Sequence, residues 1–215
     1  MSQQINTQRV RSKICGLTRV KDVHNAVALG VDAIGLVFYP PSPRAVSAEQ
    51  AVALVQTIPP YVQVVGLFVN ADATEIENIL NCVHIDILQF HGDETPEQCQ
   101  QIAQMTKKRW YKAIQVKADM DILSMIRAYR QAGASAILLD AYHADLKGGT
   151  GHAFDWTLFP KSDVPLILAG GLNPENVADA IRLTQPFAVD VSGGVESSKG
   201  IKCAEKMQQF ISNIK

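Results

Sequence analysis

Several side chains in this sequence stand where an apolar run stops, and their types could do chemistry. Asp140 directly follows Ile137, Leu138 and Leu139. A buried, unpaired carboxylate is expensive, so Asp140 must be paired, exposed or protonated. Desolvation would raise its pKa and suit it to general-acid work, with a structural cap as the other reading. Cys15 ends the short run Ile14-Cys15 ahead of Gly16. A thiolate there could take a proton, but an ordinary thiol of pKa about 8.5 is only slightly ionised at neutral pH. A base would need a nearby cation or a helix N-terminus, and the alternative is a small buried apolar side chain. Arg44 follows a loop with prolines at 40, 41 and 43. A guanidinium on so stiff a loop suits bidentate capture of a carboxylate, or is simply solvated. Gln89 and His91 alternate with Leu88 and Phe90, so both can point to one face of a strand, as a site or as hydrogen-bonded core. Gly170-Gly171 and Gly193-Gly194 could let backbone N–H groups approach an anion, or could be tight turns.

These residues need elements to hold them. Apolar runs stand at 14–15, 33–39, 62–69, 85–90, 111–116, 136–140, 166–169 and 187–191, and several are apolar at nearly every position. That pattern predicts strands buried on both faces, hence a parallel sheet. Between them lies helix punctuation. Ser47 with Gln50, Asp72 with Glu75, and Thr95 with Pro96 and Gln98 have the spacing of capping boxes. Asn173-Pro174 repeats the cap-then-proline pattern, and residues 22–29 carry Val23, Ala26 and Val27 at helical spacing. From Cys15 to Asp190 the unit repeats at about 25 residues, enough for a strand, a helix and two short loops. Eight such units predict the α/β class, as a (β/α)8 TIM barrel forming a single domain over residues 1–215 without linker or second domain. A doubly wound open sheet is the runner-up. In a barrel, chemistry gathers where strands end, and the loops after strands 7 and 8 often hold phosphate. Both glycine pairs fall there. The glycine-rich stretch 147–151 would be a lid.

The bulk numbers exclude other classes. Among 215 residues, 20 are basic and 21 acidic, for a net charge of −1. No long-range field attracts nucleic acid or anionic lipid, so neither is expected as a partner, and any anion site is local. No apolar run reaches the ~20 residues of a membrane helix, and the polar start of the chain carries no apolar leader. Cys15, Cys82, Cys99 and Cys203 are far apart, which suits a reduced cytoplasm. A metal site on Cys82, His84 and His91 lacks a third ligand at suitable spacing. No exposed apolar stripe stands out, so a monomer is expected, with a homodimer as the alternative.

Taken together, Lys13-Ile14-Cys15-Gly16-Leu17, Ser42-Pro43-Arg44, Leu88-Gln89-Phe90-His91-Gly92, Gly148-Gly149-Thr150-Gly151 with Phe154-Asp155-Trp156, Leu168-Ala169-Gly170-Gly171-Leu172 and Val189-Asp190-Val191-Ser192-Gly193-Gly194-Val195-Glu196 resemble phosphoribosylanthranilate isomerase over almost the whole chain. One departure is Ser192-Gly193-Gly194, where the family often reads Ser-Ser-Gly. The resemblance implies an Amadori rearrangement of a phosphoribosyl substrate in tryptophan synthesis, without metal or organic cofactor. It implies Asp140 as general acid, Cys15 as base and Arg44 on the anthranilate carboxylate. It implies phosphate on the backbone at Gly171, Ser192 and Gly193, with Gln89, His91, Gly170, Asp190 and Gly194 also in the substrate site. These roles ask Asp140 for a pKa about three units above normal, roughly 4 kcal/mol, and Cys15 for a downward shift. Two alternatives are the related phosphoribosyl-carboxamide isomerase of histidine synthesis, which uses an aspartate where Cys15 stands, and a non-catalytic phosphosugar-binding barrel, which would not need Cys15 and Asp140 together.

Overall fold

Eight parallel strands close on themselves in sequence order: β1 (Arg11–Cys15), β2 (Ala33–Phe38), β3 (Gln63–Phe68), β4 (Ile87–Phe90), β5 (Arg109–Gln115), β6 (Ala136–Asp140), β7 (Leu166–Ala169) and β8 (Ala188–Val191). The structure is a computed structural model and describes residues 9–117, 120–140, 156 and 159–214. Closure comes from β8 lying beside β1, with Lys13 opposite Asp190. Each apolar run of the sequence became a strand, with ends displaced by at most a few residues. The (β/α)8 barrel is therefore the architecture, and the open sheet is not.

The period of two within each strand splits the molecule into an outer and an inner layer. Ile14, Leu36, Phe68, Leu88, Ile137, Leu168 and Val189 turn outward into the main core, against the helices. Val65, Tyr111, Ala113, Leu138, Ile167 and Ala188 turn inward and fill the lumen. Cys15, Val37 and Leu67 form a further small apolar group in the lumen, at the strands' C-terminal ends. By the same alternation, Lys13, Gln89, Asp140 and Asp190 point inward from β1, β4, β6 and β8. A polar side chain at these positions enters the barrel interior.

The helices cover the outside: α1 (Val20–Ala28), α2 (Ala48–Val55), α3 (Ala73–Cys82), α4 (Pro96–Thr106), α5 (Ile122–Gln131), α6 (Val177–Thr184) and α7 (Ala204–Ser212). Reciprocal capping boxes start α2 at Ser47, α3 at Asp72 and α4 at Thr95, as the spacing predicts. Asn173-Pro174 behaves differently. Helix α6 starts at Val177, with Asn176 as its N-cap. Asn173 Oδ1 instead accepts from the N–H groups of Glu175 and Asn176, so its cap serves a turn that leads into the helix. Most of the span between β6 and β7, including the expected lid at 147–151, lies outside the described residues. After β8 the chain makes a 3-10 turn, Gly193–Val195, and a small hairpin of β9 (Glu196–Ser198) and β10 (Ile201–Lys202) that the sequence pattern did not indicate. No helix among the described residues is long and apolar enough to cross a membrane.

Candidate active site

The C-terminal ends of the strands surround a cavity of about 780 Å³. Cys15, Arg44, Gln89, His91, Asp140 and Asp190 all line it, as do Gly170, Gly171, Ser192, Gly193 and Gly194. These residues are thus brought to one mouth, although they come from six of the strand ends and loops.

Behind the mouth, buried polar groups form a chain of hydrogen bonds. Lys13 Nζ donates to Asp190 Oδ2 at 2.6 Å and to Gln89 Oε1 at 3.0 Å. The Tyr111 hydroxyl donates to the same Gln89 oxygen at 2.8 Å. Two donors on Oε1 fix the orientation of the amide, so Nε2 must donate to His91 Nδ1, 3.1 Å away. His91 then carries its proton on Nε2, which lies 3.3 Å from Asp140 Oδ2. Gln89 is almost fully buried, with its carbonyl turned to Lys13 and Tyr111. Gln89 thereby sets the tautomer of His91, whose Nε2 faces Asp140.

Electrostatics separates these groups. Burial works against the Lys13 charge, yet Asp190, Cys15 and Tyr111 outweigh it and hold the ammonium well above its ordinary value. Burial pushes the Asp190 carboxyl up against the pull of Lys13. The proton of this pair stays on Lys13. Asp190 Oδ1, buried, has no hydrogen-bond partner among the described residues. The expected downward shift of Cys15 is not found. Burial raises its thiol above the ordinary value, and Lys13 and Lys202 offset this only in part. A cation is near, as a base requires, but desolvation is the larger effect.

Arg44 is not idle on its loop. Its Nε and Nη2 donate to the two oxygens of Glu196, at 2.7 and 2.8 Å. Lys202, fully buried, donates to Glu196 Oε1 at 2.8 Å. The glycines serve distinct needs. Gly170 and Gly171 have φ of 86° and 66°, and open space faces the α-carbon of Gly171. A Cβ on Gly194 would fall 1.9 Å from the Leu172 carbonyl oxygen, so the loops after β7 and β8 can meet only with glycine there.

The family model for N-(5'-phosphoribosyl)anthranilate (PRA) isomerase matches residues 12–213. The chain belongs to this family. It is therefore an enzyme, an isomerase of tryptophan biosynthesis. It is 64% identical over 206 residues to N-(5'-phosphoribosyl)anthranilate isomerase of Acinetobacter calcoaceticus, covering 96% of this chain and 97% of that one. It is 53% identical over 207 residues to the Nitrosococcus oceani enzyme, covering 96% and 98%. Among solved structures, phosphoribosyl anthranilate isomerase from Thermotoga maritima superposes with a TM-score of 0.86 at 41% identity, covering 95% of this chain and 98% of that one. A family structure holding reduced 1-(o-carboxyphenylamino)-1-deoxyribulose 5-phosphate gives 0.82 at 38% identity with the same coverage. These matches favour the isomerase expectation over the histidine-pathway enzyme and the non-catalytic barrel.

The structure also places beside the mouth residues that the sequence left without a role. Lys13 sits one alternation before Cys15 on the same strand face, so period-two reading could have placed it in the lumen. Tyr111 could have been found the same way. Glu196 and Lys202 carry no such signal, because their strands have three and two residues. Cys82 and His84 prove remote from His91. Cys82 ends α3, and His84 pairs with Asp86 ahead of β4, at the opposite end of that strand.

Proposed function

We propose that this chain converts N-(5-phosphoribosyl)anthranilate to 1-(2-carboxyphenylamino)-1-deoxyribulose 5-phosphate with Asp140 as general acid and Cys15 as base. The observation that carries the assignment is the shared mouth into which both point, from strands three apart on one side of the barrel. Asp140 gives a proton to the ribose ring oxygen as the bond from that oxygen to C1 breaks, leaving a protonated Schiff base. His91 Nε2–H supports Asp140 through Oδ2 during this transfer. Cys15 then removes the C2 proton, and the electron pair flows to the iminium to give an enolamine. Loss of the C2 hydroxyl proton and protonation at C1 yield the ketone. The substrate supplies its own electron sink, so the sequence needs only acid and base.

Burial of Cys15 fits this order of events. A thiol at rest is inert, and the positive Schiff base formed beside it favours the thiolate when it is needed. Asp190 Oδ1 is read as an acceptor for a substrate N–H or O–H. An unsatisfied buried acceptor costs about 1–3 kcal/mol, which a bound donor would recover. Arg44 is read as the contact for the anthranilate carboxylate, and backbone N–H groups at Gly171, Ser192 and Gly193 as the phosphate cradle. The four free cysteines support a reducing cytoplasm. The large exposed apolar side chains are scattered over separate elements, which supports a monomer. The Thermotoga maritima relative is described as dimeric and also in monomeric form, so a homodimer is the alternative that sedimentation would reveal.

Loss of anthranilate fluorescence on adding substrate measures turnover directly. Asp140→Asn and Cys15→Ala should each lower kcat by at least about a hundredfold, the scale of one general acid or base, with substrate binding largely kept. Full activity in either variant would reject the assignment.

A further inference from the structure

Arg44 reaches the cavity with part of its donor set already taken. Nε and Nη2 face the carboxylate of Glu196 as a parallel pair, which fixes the guanidinium plane. The aliphatic stem lies so close to Gly16 that a Cβ there would fall 2.5 Å from Arg44 Cδ. Among the described residues, no hydrogen bond engages Nη1. A guanidinium neutralised by one glutamate would attract a substrate carboxylate weakly. Lys202 changes that balance. Its ammonium shares Glu196 Oε1, so two cations flank one anion and the group stays net positive. Lys202 Nζ also donates to the Ser192 carbonyl at 3.1 Å, and Ser192 Oγ donates to the Cys15 carbonyl at 3.0 Å. Both Glu196 and Lys202 ride on the β9–β10 hairpin. That hairpin is held to the first two loops, because Thr18 donates to the Gly200 carbonyl and a Cβ on Gly200 would strike the Pro43 carbonyl.

We propose that Glu196 and Lys202 are positioning residues for the aromatic carboxylate of the substrate. Glu196 sets the plane of Arg44, and Lys202 supplies the charge that leaves the locked pair attractive to an anion. This rests on the reading of Arg44 as the carboxylate contact. It assigns specificity to a hairpin that itself need not touch the sugar.

Steady-state kinetics with N-(5-phosphoribosyl)anthranilate and with N-(5-phosphoribosyl)aniline, which lacks the carboxylate, test the proposal. Arg44→Ala should abolish the preference for the carboxylate substrate. Glu196→Gln should reduce that preference about tenfold or more, the scale of one charge-assisted hydrogen bond, chiefly through KM. Its effect on the aniline substrate should stay below about threefold, since no carboxylate contact is lost. In the Arg44→Ala background, Glu196→Gln should not change the preference further. Lys202→Met should repeat the effect, and Lys202→Arg should restore most of it. Equal losses on both substrates in Glu196→Gln, or an unchanged effect in the Arg44→Ala background, would overturn the proposal. If Lys202→Met does not fold, the Glu196→Gln and Lys202→Arg results decide. A preference that survives Arg44→Ala would defeat the reading of Arg44 itself. A preference lost in Arg44→Ala but kept in Glu196→Gln would defeat only the role of the hairpin.

Discussion

Replacing Lys13 with methionine should destabilise the barrel severely, and the deficit should shrink in acid. Lys13 and Asp190 have side chains only 6% exposed each, and their 2.6 Å contact joins the two strands that close the barrel. Methionine fills much of the same volume but removes the Lys13 hydrogen bond to Asp190 Oδ2, while Oδ1 has no partner among the described residues. Removing one partner of a buried ion pair costs about 3–5 kcal/mol, because the remaining charge is left uncompensated. For a chain of this size, about 2–4 °C per kcal/mol gives a Tm loss of about 6–20 °C. The pH dependence follows from the same group. Burial already pushes the Asp190 carboxyl above its ordinary value, and losing Lys13 removes the main force that opposes it. A folded-state pKa above the unfolded one means that stability is present below the unfolded pKa and is lost as pH rises through the folded pKa. The variant should therefore lie closest to the parent at low pH and furthest from it at neutral pH. Urea unfolding of both proteins at pH 5 and pH 7.5, followed by circular dichroism, measures this. Lys13→Met with Asp190→Asn should recover most of the loss. A deficit below about 1 kcal/mol at neutral pH, or one that grows in acid, would refute the argument.

Gly194→Ala should raise KM for the phosphorylated substrate and cost about 1–3 kcal/mol in denaturant stability, since a Cβ 1.9 Å from the Leu172 carbonyl oxygen forces the last two loops apart. Unchanged KM and stability would show that the loops can yield. In alkylation by iodoacetamide, followed by mass spectrometry, Cys15 should reach half-maximal reactivity only above pH 9.0, because burial raises its thiol. Cys99, pushed up to about 12, should stay unmodified at pH 9 until the protein unfolds. A Cys15 reaction that plateaus near neutrality would contradict that ordering. Asp72→Ala should cost about 0.5–2 kcal/mol through the lost capping box of α3, with kcat/KM unchanged because α3 belongs to the outer layer. A large activity loss would mean that α3 helps to shape the mouth.

Much of this architecture could be read from residue order because its signals are local. A strand buried on both faces is apolar at nearly every position, so runs such as 136–140 mark both the element and its end. Capping boxes span four residues, and three of them were legible. Gln89 and Asp140 stood out because a polar group in such a run needs a reason, Cys15 because its run stops at a thiol, and Asp190 only through the family resemblance. What stayed hidden depends on partners far away in the chain. Lys13 has its counter-ion 177 residues later, and no local pattern announces a pair of that separation. Arg44 meets Glu196 across 152 residues, so the loop that presents it could be foreseen but its fixed plane could not. The sign of the Cys15 shift was misjudged because the role suggests a thiolate, while the packing around the sulfur sets the cost of one. Asn173-Pro174 misled by a few residues because a capped turn and a capped helix share the same first hydrogen bonds.

Closure of the barrel through β1 and β8 also fixes when, in the life of a chain, the site can exist. Cys15 emerges from the ribosome ahead of Arg44, Gln89, His91 and Asp140. Lys13 and Cys15 must wait for Asp190 and Ser192, 177 positions later in each case. Until then the nascent sheet has an open edge on each side, and the strand that carries Cys15 has a neighbour on only one of them. Glu196 and Lys202 arrive later still. A chain made only as far as β7 thus holds Cys15, Asp140 and Lys13 but not Asp190, and must avoid associating through those edges until β8 is delivered.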